Sequence, residues 1–103
     1  MRNVFIRYEA KPERVAENRA LIEEVFAELA VAQPEGLRYL VLDFEDGSFV
    51  HFAMVPDDPD ANPLKKIKAF QRFSADNGER QVAKPWVKPP RIVGDYRMLS
   101  KDE

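Results

Sequence analysis

The chain contains no cysteine, and that single absence removes disulfides, thiolate metal sites, iron–sulfur clusters and cysteine nucleophiles together. Histidine is almost as scarce: His51 stands alone, so a metal site would have to recruit carboxylates such as Asp43 with no recognisable ligand spacing, and none is expected. Positive charge is not in surplus. With 16 Lys and Arg against 18 Asp and Glu the formal net charge is -2, which leaves nothing to neutralise a phosphate backbone and argues against nucleic acid as a partner. No glycine-rich phosphate loop, Ser-His-Asp order or paired-carboxylate constellation is present. Long apolar runs are missing too. The N-terminal MRNVFIRYEAKPER is broken by charge too early for a signal peptide, and no stretch approaches membrane-spanning length. No membrane association is expected, and a cytoplasmic location is the expectation.

What is present describes one globular domain: 103 residues, 45% hydrophobic and 33% charged. The most informative stretch is Gly36 to Val55, GLRYLVLDFEDGSFVHFAMV, which reads as a β-hairpin turning at Asp46-Gly47. A two-residue turn there puts Leu40, Leu42, Phe44, Phe49, His51 and Ala53 on one face, and Tyr39, Val41, Asp43, Val50, Phe52 and Met54 on the other. A one-residue bulge would change these partners yet leave each strand apolar on both sides. Both faces of the sheet therefore need cover.

The remaining elements follow from pattern. Val4 to Tyr8 is a β-branched and aromatic run ending before Lys11-Pro12, and Pro12 opens a helix. From Glu13 to Ala32 the positions Val15, Ile22, Val25, Phe26 and Leu29, with Leu21 at the edge, recur at helical spacing, with Glu17, Arg19, Glu23, Glu24 and Glu28 outside. Pro34-Glu35-Gly36 stops this helix. After a proline-rich loop, Asn62-Pro63 reads as an N-cap and first helical position. Leu64, Ile67, Phe70 and Phe73, with Ser74, form the buried stripe of a second helix, against Lys65, Lys66, Lys68 and Arg72. It ends at Asn77-Gly78 or one turn later, through Arg80 to Val82. Lys84 to Pro90 is an extended proline-flanked arm, Arg91 to Leu99 the last predicted strand, and Ser100 to Glu103 a polar tail. The order β-α-β-β-α-β is the ferredoxin-like α+β arrangement, a four-stranded antiparallel sheet with two helices on one face. The bare face is apolar, so a homodimer with stacked sheets is expected.

At this point the chain resembles the dimeric α+β barrel proteins of the antibiotic biosynthesis monooxygenase type, and most closely their small bacterial members of undefined activity. The features that carry the resemblance are the first strand running into Lys11-Pro12-Glu13, the hairpin with Phe49-Val50-His51-Phe52, Asn62-Pro63-Leu64 followed by Ala69-Phe70-Gln71-Arg72-Phe73, and Val93-Gly94-Asp95-Tyr96-Arg97. The resemblance implies a dimer, a ligand pocket between sheet and helices, and activities ranging from cofactor-independent oxygenases to haem degradation. Haem-degrading relatives carry an asparagine in mid strand one, where this chain has Phe5-Ile6-Arg7 and only Asn3 near the strand start. Their tryptophan and histidine near the second helix are replaced by Phe70 and Phe73. No cofactor is expected.

In such a pocket, polar residues on apolar stripes are the ones to inspect. Asn18 lies one turn from Val15 and from Ile22, where an amide must find partners or bear a desolvation cost. It is either a structural amide or a group facing a ligand. His51 is the one side chain whose ordinary titration falls near neutral pH; it is either a satisfied core or interface residue, or a base. Asn18 and His51 are the catalytic candidates. Tyr8, Phe70, Phe73 and Trp86 are the ligand-binding candidates, with Trp86 reading equally as a dimer anchor and the two phenylalanines as core. Arg80 reads as a solvated or interface charge. Two functions compete: a monooxygenase-like enzyme acting on a small aromatic or quinone-like molecule, and a non-catalytic dimeric module that binds an apolar metabolite or has a filled pocket.

Overall fold

Alternation along β1 (Arg2–Glu9) sorts the molecule into two sides, because successive side chains of a strand point to opposite faces. In the computed structural model, which describes residues 1–83 and 85–99, the even positions through Tyr8 turn toward the helices and Phe5 and Arg7 turn away. Lys84 of the expected arm and the tail Ser100 to Glu103 lie outside the described residues.

A 3-10 turn at Pro12–Arg14 leads into α1 (Val15–Ala32), whose chain then reverses at left-handed Gln33. β2 (Arg38–Asp43) and β3 (Ser48–Val55) form the hairpin. After 3-10 turns at Pro59–Ala61 and Pro63–Lys66 come α2 (Lys68–Ala75), α3 (Asn77–Arg80) and β4 (Trp86–Lys88). The strands run antiparallel in the order β2-β3-β1-β4. This is the ferredoxin-like α+β fold that the pattern predicts. The Asn62 cap is in place, its side-chain oxygen accepting from the Leu64 N–H at 3.0 Å. A second cap comes from outside the segment: both carboxylate oxygens of Glu28 on α1 accept from the first N–H groups of α2, Lys68 at 3.1 Å and Ala69 at 2.9 Å. That contact fixes the two helices against one another, and Glu28 is not the purely solvent-facing residue of the periodic reading.

Three local readings change. The hairpin loop holds three residues, not two: Phe44 and Ser48 close it, and Gly47 takes φ +87°. A side chain at Gly47 would be strained, and a Cβ there would meet Val15 at 3.3 Å. The extra residue slides β2 by one position, so Tyr39, Val41 and Asp43 share the helix side with Phe49, His51 and Ala53. Leu40 and Leu42 move to the bare face with Val50 and Phe52.

The last strand is Trp86–Lys88, inside the predicted arm, while Arg91 to Leu99 forms no strand. Proline at 85 and 89 is tolerated because β4 is a short edge strand. Beyond it, the Asp95 carboxylate accepts from the Met98 and Leu99 N–H groups and Arg97 is left-handed, which is turn geometry. Finally, α2 stops at Ala75 and α3 carries the chain through Gly78 to Arg80, the later of the two helix ends. Among the described residues no helix is long and apolar enough to cross a membrane.

Candidate functional site

Asn18 is fully buried on the inner face of α1, and so is Arg80 at the end of α3. After Arg80, Gln81 bridges to Ala10 and the Val82 N–H bonds the Glu9 carbonyl, so the end of β1 pins α3 above α1. The buried guanidinium is well occupied. Its Nε donates to Asn18 Oδ1 at 2.8 Å and its Nη2 to the Phe73 carbonyl at 2.6 Å, while Nη1 meets the Asp76 carboxylate. The cation also lies 5.1 Å from the centre of the Phe73 ring. The reading of Arg80 as a solvated charge is therefore corrected: a guanidinium buried this deeply survives only because each face of it finds an acceptor.

From Arg80 a continuous chain of hydrogen bonds crosses the interior. Asn18 Nδ2 donates to the Tyr8 hydroxyl at 2.9 Å, Tyr8 meets His51 Nε2 at 2.9 Å, and His51 Nδ1 meets the Tyr39 hydroxyl at 2.7 Å. Register explains the meeting. Tyr8, His51 and Tyr39 sit on three adjacent strands, with Tyr8 opposite Phe49, Ile6 opposite His51 and Tyr39 opposite Ala53, so all three point to the helix side. Burial holds the group uncharged. Desolvation pushes the His51 imidazole down from 6.5 to about 4 and the Tyr8 phenol up from 10.0 to about 12, opposed there by the Asn18 hydrogen bond and the Arg80 charge. Tyr39 is likewise raised, by burial and by its neighbour Tyr8.

The chain ends in the wall of a cavity of about 270 Å³ between sheet and helices. Tyr8, His51 and Tyr39 form one polar cluster in its wall and Asn62, Ser74, Asn77 and Arg2 line it elsewhere, while Ile6, Ala53, Leu64, Phe70 and Phe73 supply apolar walls. The Phe73 ring lies 5.5 Å from the imidazole, and Phe26 stacks on Tyr39 at 5.0 Å. Aromatic and aliphatic walls with a few polar groups suit a small flat ligand carrying an oxygen. Both imidazole nitrogens are taken by tyrosine hydroxyls, which leaves no ring lone pair directed at a metal.

The structure thus brings five of the sequence candidates together: His51, Tyr8, Phe70 and Phe73 line the cavity, and Asn18 stands directly behind Tyr8. Asn18 is satisfied by protein groups, the structural side of its two readings. Trp86 is placed elsewhere. It pairs with Arg7 on the bare side of β1, half exposed, with its ring edge-on to Phe5 at 5.6 Å. It borders a different groove and does not touch this cavity. Two members of the site were not among the candidates. Tyr39 is a strand tyrosine whose hydroxyl could reach a pocket, but it takes the helix side with His51 only because the three-residue loop sets the β2 register, and Arg80 has in sequence only the i,i+4 partner Asp76 to mark it.

Solved structures of the same architecture exist. No protein-family profile and no curated protein matches the chain. A solved structure described as an antibiotic biosynthesis monooxygenase shares 21% identity at a TM-score of 0.64, covering 91% of this chain and 100% of its own. A conserved protein from Methanosarcina mazei Go1 shares 16% at 0.64, over 88% and 93% of the two chains. Rv0793 from Mycobacterium tuberculosis shares 19% at 0.61, over 90% and 95%. At these identities the likeness is one of fold, and over nearly the whole length this chain has the ferredoxin-like fold of those proteins.

Proposed function

We propose that the protein is a monooxygenase-like enzyme whose helix-side cavity takes a small aromatic or quinone-like molecule and presents its oxygen to Tyr39, which His51 holds. The observation that carries this reading is the relay Arg80–Asn18–Tyr8–His51–Tyr39: five hydrogen-bonded polar side chains run through the interior, and the last three of them reach the wall of the cavity. Core packing alone would not require it. The fold shared with a protein described as an antibiotic biosynthesis monooxygenase supports the reaction class. In such a reaction a phenol with a free para ring position reacts with dioxygen to give a quinone; one oxygen atom becomes the new carbonyl and the other leaves as water. The relay's part is to hold the ring oxygen and accommodate charge as it develops there.

We further propose that a second copy covers the bare face. Leu40 and Leu42 are each roughly half exposed beside Phe5, Val50 and Phe52, a contiguous apolar surface of the kind that marks an interface. The enzymatic reading is tested by oxygen uptake and by transfer of label from isotopic dioxygen into 1-naphthol, with Tyr39→Phe as the control. Uptake that depends on Tyr39 supports it. Tight binding of naphthol without turnover supports the non-catalytic module instead.

A further inference from the structure

The relay has a direction, and the direction is set at its buried end. Arg80 has donors only, so its Nε–H must point at an acceptor, and the Asn18 amide is held with Oδ1 toward Arg80 and Nδ2 toward Tyr8. The Tyr8 oxygen therefore accepts from Asn18, and its own proton must go onward. Tyr8 is almost wholly buried and has one remaining partner within reach, His51 Nε2. Nε2 accepts that proton, so the neutral ring carries its hydrogen on Nδ1 and donates it to the Tyr39 oxygen. The Tyr39 proton is then the one left over. It lies at the cavity, and no buried side-chain nitrogen or oxygen among the described residues is left without a partner in this arrangement. The reverse arrangement, with hydrogen on Nε2, makes Tyr8 accept twice and takes away the one side-chain acceptor its proton has, at an expense comparable to an unmade buried hydrogen bond.

We infer that Arg80, acting through Asn18 and Tyr8, holds His51 as the Nδ1-protonated tautomer and makes the Tyr39 hydroxyl an obligate donor to the cavity, so the site recognises a ligand oxygen that accepts, a carbonyl or a phenolate, over a hydroxyl that must donate. The tautomer is a property of the empty protein; the recognition half rests on the cavity being the ligand site. Arg80 is thus a positioning residue, and a quinone carbonyl or the anion of a phenol is the ligand class it selects. The relay also conducts in principle: transfer of the Tyr39 proton to a ligand oxygen is balanced by Nδ1–H moving to Tyr39 and the Tyr8 proton moving to Nε2, leaving a Tyr8 phenolate held by Asn18 and the Arg80 charge.

Long-range proton–nitrogen NMR of histidine-labelled protein near neutral pH reads the tautomer directly. The wild-type protein should show hydrogen on Nδ1, and hydrogen on Nε2 would overturn the inference. Asn18→Asp is the sharper variant, because an isosteric carboxylate still pairs with Arg80 but accepts from Tyr8 where the amide donated. The relay should then reverse, with the His51 hydrogen moving to Nε2 and Tyr39 turning its proton inward. Arg80→Gln, a neutral group that lets the Asn18 amide turn, should yield a mixture. A single unchanged Nδ1 tautomer in either folded variant removes Arg80 from its role, and if Arg80→Gln does not fold, Asn18→Asp decides alone.

For recognition, the probes are 1,4-naphthoquinone and 1-naphthol. The ratio of their affinities should shift against the quinone by at least about tenfold from wild type to Asn18→Asp, about 1.4 kcal/mol. An unchanged ratio overturns the donor assignment for Tyr39. If the tautomer reverses as expected but neither probe binds either protein, the cavity reading and the recognition half fail together, while Arg80's control of the tautomer stands.

Discussion

The two faces of one sheet solve opposite problems. On the helix side, β1, β2 and β3 bury tyrosine and histidine against Asn18 of α1 and Arg80 of α3, and every buried polar atom of the described side chains has a partner. On the bare side the same strands show Phe5, Leu40, Leu42, Val50 and Phe52, apolar groups with nothing polar to satisfy and only the turn-rich segment Pro90 to Leu99 beside them. Polar groups are costly to bury and apolar groups are costly to expose. That contrast underlies the two proposals, a site on the helix side and an interface on the bare side. In both cases the strand period of two did the sorting, and the difference lies in what each face meets.

Breaking the buried end of the helix side should have the largest effect. Arg80→Leu removes a cation that satisfies Asn18, the Phe73 carbonyl and Asp76, and we expect a loss of about 3 to 5 kcal/mol in chemical denaturation. Asn18→Leu leaves the Arg80 Nε–H without its acceptor and should lose about 2 to 3 kcal/mol. Had the Asn18 partner been a ligand, the same change would stabilise the empty protein, so denaturation of Asn18→Leu separates the two.

The same side predicts a pH dependence of comparable size. An unfolded histidine titrates near 6.5 and His51 in the fold near 4, so between those values the unfolded chain binds the extra proton and stability rises with pH. The stability is complete above 6.5 and is lost as pH falls toward 4, where the folded imidazole protonates as well. The span corresponds to about 3 kcal/mol at 1.36 kcal/mol per pH unit. His51→Phe should flatten this part of the stability–pH curve; a curve of unchanged slope would mean that other groups produce it.

On the bare side, light scattering at micromolar concentration should return about twice the chain mass, and Leu42→Asp, at a half-exposed position, should return a single chain without unfolding it. The helix side should be indifferent to this change if the two faces act separately. The smallest effect belongs to Trp86→Ala. Its ring lies on Phe5 across the sheet from the cavity, so we expect weaker association or a looser β4, worth about 1 kcal/mol, with naphthol affinity unchanged. A loss of affinity without a change in association would place Trp86 at the ligand after all.

Local chemistry wrote much of this in advance. The order of elements, the Asn62 cap, the α1 stripe and the two-sided apolar hairpin follow from periodicity, proline and residue shape, which act over a few neighbours. Asn18 stood out because an amide on an apolar stripe needs an explanation, and His51 because it is alone. What depended on distant segments was not legible. One residue of loop at Gly47 reversed β2, and so decided that Tyr39 and not Leu40 stands beside His51. A three-residue edge strand displaced the more β-like Arg91 to Leu99 because Asp95 and Arg97 turn that segment. Arg80, charged and flanked by Glu79 and Gln81, looks like surface in any window of sequence. Only the meeting of α3 with α1 and the end of β1 supplies the acceptors that let a guanidinium stay inside, since the desolvation of a charge is compensated by geometry, and geometry of that kind belongs to the folded chain.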